Sequence, residues 1–300
     1  MKIAVLDVGG TAIKSGIWDG RKLTFCGEDK TETKKGGEGV LQCMKEILHR
    51  LHAEEADAIG ISTAGDVNAD TGTIHYANQN IPGYMGTEIG KVLEEEFKVP
   101  VAVENDVNAA ALGEYMEGAG KGTNCFLCLT YGTGIGGGIV INGEVLEGKN
   151  WAAANFGGIL IHPEKRVPGV QLSGCYETYA STTALVRSVA KVDPQLDNGR
   201  KIFEAIERPE IKETVDHWID EITYGLISLI HIFDPDKIAL GGGIMAQKYV
   251  YEEVRRKTTE RVENNFKDIQ LVPAELGNSA GMMGAAYRAK EARLHKNLVR

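Results

Sequence analysis

Residues 128–145 read CLTYGTGIGGGIVINGEV. Gly132, Gly134 and Gly137 spell G-x-G-x-x-G, which marks a dinucleotide site when it follows a strand and opens a helix. The strand is there: residues 124–130 form a short apolar run suited to burial. The helix is not. The glycines lead into β-branched residues around Asn142-Gly143, the strongest short hairpin signal. The element therefore reads strand, glycine loop, strand, turn, strand, which argues against a dehydrogenase-type unit. Close backbone approach to a phosphate is the remaining use for such glycines.

The same element occurs near the N-terminus. Residues 4–23, AVLDVGGTAIKSGIWDGRKL, lie on the first stretch after a shift of 123 positions. Leu6 falls on Leu129, Gly9 on Gly132, Ile17 on Val140, and Asp19-Gly20 on Asn142-Gly143. Two similar halves, each opening on a glycine hairpin, point to a ligand held between them.

Bulk composition excludes several classes. The chain has 300 residues, 43% hydrophobic and 25% charged, with a formal net charge of −9. That length favours two domains. The acidic balance is unlike that of a nucleic-acid binder, and no apolar run approaches a membrane span. The first residues, MKIAVLDVGG, enter a strand pattern directly, without a signal-peptide apolar region, so the expected location is cytoplasmic. Five cysteines at irregular spacing suggest no disulfide framework. Cys125 and Cys128 form C-x-x-C, but on a strand they face opposite ways.

After each hairpin, helices and strands alternate, which makes the chain α/β in two layered domains. Helices are expected over 39–53, 86–97, 178–192, 213–233 and 279–295, the fourth with an apolar stripe through Trp218, Ile222, Leu226, Leu229 and Phe233. AGDVNADTG, residues 64–72, reads as turns. The N-terminal domain is expected over 1–117 and the C-terminal domain over 118–300, with the last helix, about 281–297, packing back on the first.

Several residues are candidates for chemistry. Asp7 ends the first strand before Gly9-Gly10-Thr11, where an acid can hold a divalent cation while loop N–H groups face phosphate; Lys14 adds positive charge. Gly241-Gly242-Gly243 follows a strand, where open α/β sheets bind ligands. GEVLEGKN, residues 143–150, misses a P-loop by one residue and begins in a turn. VENDVNAAALGE, residues 103–114, places Asn105-Asp106 at a strand–helix junction. Asp106 there fits either a helix cap or a general base, and the sequence leaves both open.

Taken in order, DVGGTAIK, ISTAG with NIPGY, ENDVNAAALGE, GTGIGGG, GCYETYAS and LGGGI resemble the ROK family of sugar kinases and repressors. The resemblance covers Asp7 to Ile244. It implies the actin-like, ribonuclease-H-like ATPase fold, two duplicated α/β domains with a cleft between them, ATP and Mg²⁺ as cofactors, and a homodimer. It implies Asp7 near Mg²⁺, Gly9, Gly10, Thr11 and Lys14 at the phosphates, Thr133 and Gly134 in the second phosphate loop, and Gly242 and Gly243 near the adenosine. Asp106 would be the base, and Asn80, Asn105, Asn155 and Glu177 would line the sugar. Family repressors carry an N-terminal DNA-binding segment. Here the first kinase strand begins at residue 2, so nucleic acid is not an expected partner; nor, from the short apolar runs, is a membrane.

Two departures from the family pattern matter. Its zinc ligands fall here on Gly158, Pro168, Val170 and Cys175, so no structural zinc is expected even with His162 nearby. Its sugar-gripping glutamate and histidine fall on Asn155 and Gly158. The implied activity is ATP-dependent phosphorylation of a hexose hydroxyl, the 6-hydroxyl by expectation. The implied sugars are glucose, a β-glucoside or N-acetylmannosamine. A non-catalytic sugar or nucleotide sensor on the same fold is the rival reading.

Overall fold

The computed structural model describes residues 1–298; the last two residues of the expected second domain lie outside it. The described chain divides into two units. One comprises Met1–Gly118, Gly143–Ala153 and the segment from Asn278 to the C-terminus; the other comprises Ala119–Asn142 and Ala154–Gly277.

In the first unit, strands β1 (Ile3–Val8), β2 (Ala12–Trp18), β3 (Leu23–Lys30), β4 (Ala58–Thr63) and β7 (Val101–Asn105) form a sheet in the order β3-β2-β1-β4-β7. The β1–β2–β3 pairings are antiparallel; β1–β4 and β4–β7 are parallel. β1 and β4 are buried almost throughout, as a continuous apolar run in a covered parallel sheet requires. Helices α1 (Gly36–Arg50), α2 (Ile89–Phe97) and α3 (Asp106–Glu117) supply the covering layers. Residues 64–72 are more ordered than their turn-rich composition indicates. They contribute β5 (Asp66–Asn68), which pairs with β6 (Thr73–Tyr76) in a separate hairpin.

The second unit repeats the pattern. β8 (Cys125–Tyr131) pairs antiparallel with β9 (Ile135–Ile141) and parallel with β11 (Lys237–Gly241), which pairs parallel with β12 (Gln270–Pro273). The glycine loop is one residue shorter than its N-terminal counterpart: Val8 faces Ile13 across the first, Tyr131 faces Ile135 across the second. Asn142 and Gly143 both have positive φ, 53° and 89°, as a type I′ turn demands. The chain then enters the first unit as the two-residue strand β10 (Glu144–Val145).

Residues 178–192 do not form one helix. α4 (Tyr176–Ala180) stops at Ser181, whose hydroxyl caps α5 (Thr182–Val189) by accepting from the Ala184 N–H. The Ser181 carbonyl accepts from the buried Trp218 indole at 3.0 Å. A long-range hydrogen bond thus fixes a break that helical periodicity cannot reveal. After α6 (Gly199–Glu204), the long helix α7 (Pro209–Phe233) buries Trp218, Ile222, Leu226 and Leu229, as the stripe predicts. Phe233 is only partly buried against that core. Full burial of each such side chain contributes about 1.5–3 kcal/mol. α8 (Lys248–Arg261) completes the unit.

The last helix, α9 (Ala280–Leu298), belongs to the first unit and packs against α3. Their backbones approach closely because small residues face each other. A Cβ placed on Gly284 would lie 1.8 Å from the Ala109 carbonyl oxygen, and one on Gly113 would lie 2.3 Å from that of Ala280. Neither obstacle is a side chain that can rotate away, so a methyl group would force the helices apart.

Gly284→Ala is therefore expected to destabilise the protein by about 3 kcal/mol, although alanine raises helix propensity. Urea unfolding monitored by circular dichroism checks this. A neutral or stabilising effect would show that the two helices are not in backbone contact.

Candidate active site

Strand β7 ends and helix α3 begins at Asn105-Asp106. The cap is Asn105: its Oδ1 accepts from the N–H groups of Val107 and Asn108, both at 3.1 Å. Its Nδ2 donates to the Gly65 carbonyl at 2.9 Å and to Asp106 Oδ1 at 3.1 Å. Asn105 is thereby fully engaged in shaping the junction. Asp106 is the first residue of the helix. Its Oδ1 accepts from Asn105 and from the Val107 N–H. No donor among the described residues bonds its Oδ2.

Burial pushes the Asp106 carboxyl up to about 6. The Val107 N–H pulls against that shift, and the charge of Asp7 adds to it. Asp7, at the end of β1, is also raised by burial; a hydrogen bond from Ser62 and the charge of Lys14 oppose the rise. Ser62 Oγ donates to Asp7 Oδ1 at 2.7 Å from the neighbouring strand β4, where the two residues are register partners. Lys14 is the Asp7 partner on the other side, across β1–β2. Gly281 of α9 lies against this pair: a Cβ there would come 2.9 Å from both Asp7 Oδ1 and Ser62 Oγ. Tyr84 is buried; its hydroxyl sits 2.7 Å from Thr63 Oγ1. Burial holds its phenol at about 12, with the charge of Asp106 contributing.

The first glycine loop is clamped from outside the motif. Thr31, buried just beyond β3, donates its hydroxyl to the Gly9 carbonyl at 2.7 Å and its N–H to the Thr11 carbonyl at 3.0 Å. Gly10 and Thr11 remain exposed. Asn80 lies on the exposed loop after β6, its N–H donated to Asn78 Oδ1. Thr31, Ser62 and Tyr84 escape sequence reasoning as site residues. Ser62 and Tyr84 do lie in motifs with a visible signal, the ISTAG that ends β4 and the NIPGY of the loop after β6, whereas Thr31 lies in none.

In the second unit, the loop Gly132–Gly134 is knitted to the start of α5. The Thr182 N–H donates to the Gly132 carbonyl at 2.9 Å, and Thr183 Oγ1 to the Thr133 carbonyl at 2.8 Å. Gly132 and Thr133 border a cavity of about 970 Å³ whose other walls include Val186, Arg187, Asn198, Gly199, Gly243, Ile244 and Gln247. The volume suits a nucleotide. Gly242 precedes that wall with φ 95°, and a Cβ there would lie 2.2 Å from the Tyr131 carbonyl oxygen, so only glycine fits. Glu177 is held beside the same loop: its Oε2 accepts from the Ile135 N–H at 2.8 Å.

Asn155 and Gly158 are both exposed and share one turn, the Gly158 N–H donating to the Asn155 carbonyl. A Cβ on Gly158 would meet nothing nearer than Asn155 Oδ1 at 3.8 Å. His162 is bracketed by carboxylates, Nε2 2.7 Å from Glu221 and Nδ1 3.1 Å from Glu164. Cys175 is buried at the start of α4. Among the described residues, no group of three His, Cys, Asp or Glu side chains could hold a metal ion. Nor is any helix there long and apolar enough to cross a membrane.

The ROK family model matches residues 3–292. The chain belongs to the ROK family. It has the actin-like α/β fold that the resemblance implied. A β-glucoside kinase of Listeria monocytogenes is 34% identical, over 96% of this chain and 97% of its own length. Among solved structures, a ROK hexokinase from Thermus thermophilus superimposes with a TM-score of 0.84 at 34% identity, over 99% of this chain and all of that one. A ROK glucokinase from Streptomyces griseus, in complex with glucose and AMPPNP, matches with a TM-score of 0.79 at 31% identity, over 97% of this chain and all of that one.

The raised Asp106 carboxyl has a consequence for stability. A folded-state pKa of about 6, above an unfolded value near 4, favours folding at acid pH. That contribution is present below about pH 4 and is lost as the pH rises through 6. Asp106→Asn keeps the Oδ1 acceptor and never ionises. It is expected to exceed wild type in stability at pH 8 by on the order of 2 kcal/mol, with the difference shrinking below pH 4.5. Urea midpoints at both pH values measure this; a variant less stable at pH 8 would contradict the burial argument.

Proposed function

We propose that this ATP-dependent sugar kinase of the ROK family transfers the γ-phosphoryl group of ATP to the 6-hydroxyl of a hexose bearing a substituent, a β-glucoside in the first instance. The observation that carries the reading is Asp106. It is a carboxylate on the first turn of a helix, oriented through one oxygen by its capping neighbour, with a pKa of about 6. Such a group is mostly ionised at neutral pH yet basic enough to take a hydroxyl proton as the new P–O bond forms. Little covalent chemistry is asked of the protein in phosphoryl transfer; positioning and charge supply most of the rate.

The other parts follow from the same geometry. Gly9, Gly10 and Thr11, clamped by Thr31, would present N–H groups to phosphate oxygens, with Lys14 adding charge. Gly132–Gly134 and the cavity bounded by Gly243, Ile244 and Gln247 would take the nucleotide. Asp7, oriented by Ser62, suits a hard cation that keeps most of its water and shares the nucleotide phosphates, which makes it the residue to hold Mg²⁺. When bound, that ion neutralises phosphate charge. Asn80, Asn105, Asn155 and Glu177 are proposed to border the sugar, with Asn105 acting through the junction it caps.

The preference for a substituted sugar rests on Asn155 and Gly158. Only Asn155 comes within 4 Å of a Cβ at Gly158, where the family pattern has a histidine, and an amide stands where it has a carboxylate. A hydrogen bond to a charged acceptor contributes about 1.5–3 kcal/mol, a neutral one about half that. Glucose should bind correspondingly less well.

The test is ADP release over a panel of sugars. A β-glucoside is expected to exceed glucose in kcat/KM by tenfold or more, and Asn155→Glu to move the preference towards glucose. Asp106→Asn should lower turnover at least about 100-fold while sugar still binds. Near-normal turnover in that variant would sink the assignment of the base, and a wild-type preference for glucose would sink that of the substrate.

A further inference from the structure

Glu104 immediately precedes the Asn105–Asp106 junction and is 1% exposed. A carboxylate so buried needs both a countercharge and hydrogen bonds to its remaining lone pairs. Its Oε1 accepts from the Asn105 N–H at 2.9 Å and from Asn108 Nδ2 at 3.3 Å. Both donors belong to the strand end and first turn that carry Asp106. Its Oε2 accepts from Arg288 of α9, Nε at 2.8 Å and Nη2 at 2.6 Å. The same guanidinium donates to Glu147 in the segment Gly143–Ala153, and Nη1 lies 3.9 Å from Glu291. Burial raises the Glu147 carboxyl, and the charge of Arg288 opposes the rise.

One fork therefore ties a distant helix to both a returning chain segment and the residue that shapes the Asp106 turn. Arginine alone suits this, because a planar guanidinium can hold two carboxylates in fixed directions where a lysine ammonium is a point charge.

We propose that Arg288 is a positioning residue for phosphoryl transfer: by gripping Glu104 and Glu147 together, it fixes the strand-to-helix junction that presents the Asp106 carboxylate. The inference rests on the reading of Asp106 as the base. Misplacing a reacting group by about 1 Å can cost about 100-fold in rate. Nucleotide binding, assigned to the two glycine loops and the cavity beside the second, involves none of the carboxylates that Arg288 bonds and should be little changed.

Two variants test this under saturating ATP and sugar. Arg288→Lys keeps the charge and loses the fork. It should fold with a Tm within a few degrees of wild type, reduce kcat about 10- to 100-fold, and leave KM for ATP within about twofold. The triple variant Glu104→Gln, Glu147→Gln, Arg288→Met removes the guanidinium and both carboxylates that it grips, and removal of a buried charge cluster as a whole is commonly near neutral for stability. It should remain folded and still show the loss of kcat, a split that a purely structural role would not produce. The proposal is overturned if either folded variant keeps kcat within about twofold of wild type, or if KM for ATP rises in step with the loss. Wild-type protein inactive with every sugar would count first against the kinase reading, and the inference would fall with it.

Discussion

Asp7 and Asp106 share one partly buried site, and the charge of Asp7 opposes ionisation of Asp106. Burial alone raises both carboxyls. Much of the first unit can be understood as what keeps these two groups close despite that cost. Ser62 from β4 hydrogen-bonds Asp7, and the first-turn N–H of Val107 accompanies Asp106. Gly281 leaves room where any side chain would displace the Asp7–Ser62 pair. A site that tolerates such repulsion is suited to a ligand that brings its own charge compensation, as a metal-bound nucleotide does.

The architecture provides each carboxylate with an independent support. Asp7 belongs to the central strand of the sheet, flanked in register by Lys14 and Ser62. Asp106 sits on a helix whose cap, Asn105, reaches sideways to Gly65 as well as forwards along the chain. α9 joins the two supports. It packs at backbone distance against α3, lies against Asp7, and engages Glu104 through Arg288. The terminal helix is thus part of the site's framework and not merely its cover.

Sequence carries some of this clearly. Asn142-Gly143 predicts its hairpin because few residues tolerate two successive positive φ angles. The repeat at a shift of 123 residues locates both glycine loops, although the one-residue difference in loop length shows only in the strand register. The motif around Asn105-Asp106 identifies the junction but does not separate cap from base, because an aspartate can do either job; the hydrogen bonds from Val107 and Asn108 assign the cap to Asn105. What escapes is set by contacts distant in sequence. Ser181 interrupts an apolar period through Trp218, Thr31 grips a loop about 20 residues earlier, and Arg288 finds Glu104 across 184 positions. Local pattern has no means of naming such partners.

The account depends on Asp106 acting as a base whose affinity for a proton has been raised by burial. The most direct measurement is the pH dependence of kcat/KM for the sugar, which reports the ionisation of the free enzyme. The expected profile has a limb that falls tenfold per pH unit below about 6, in keeping with the value set by burial at Asp106, and the residual activity of Asp106→Asn has no such limb. A wild-type profile flat down to pH 5, or a limb near 6 that persists in the variant, would contradict it.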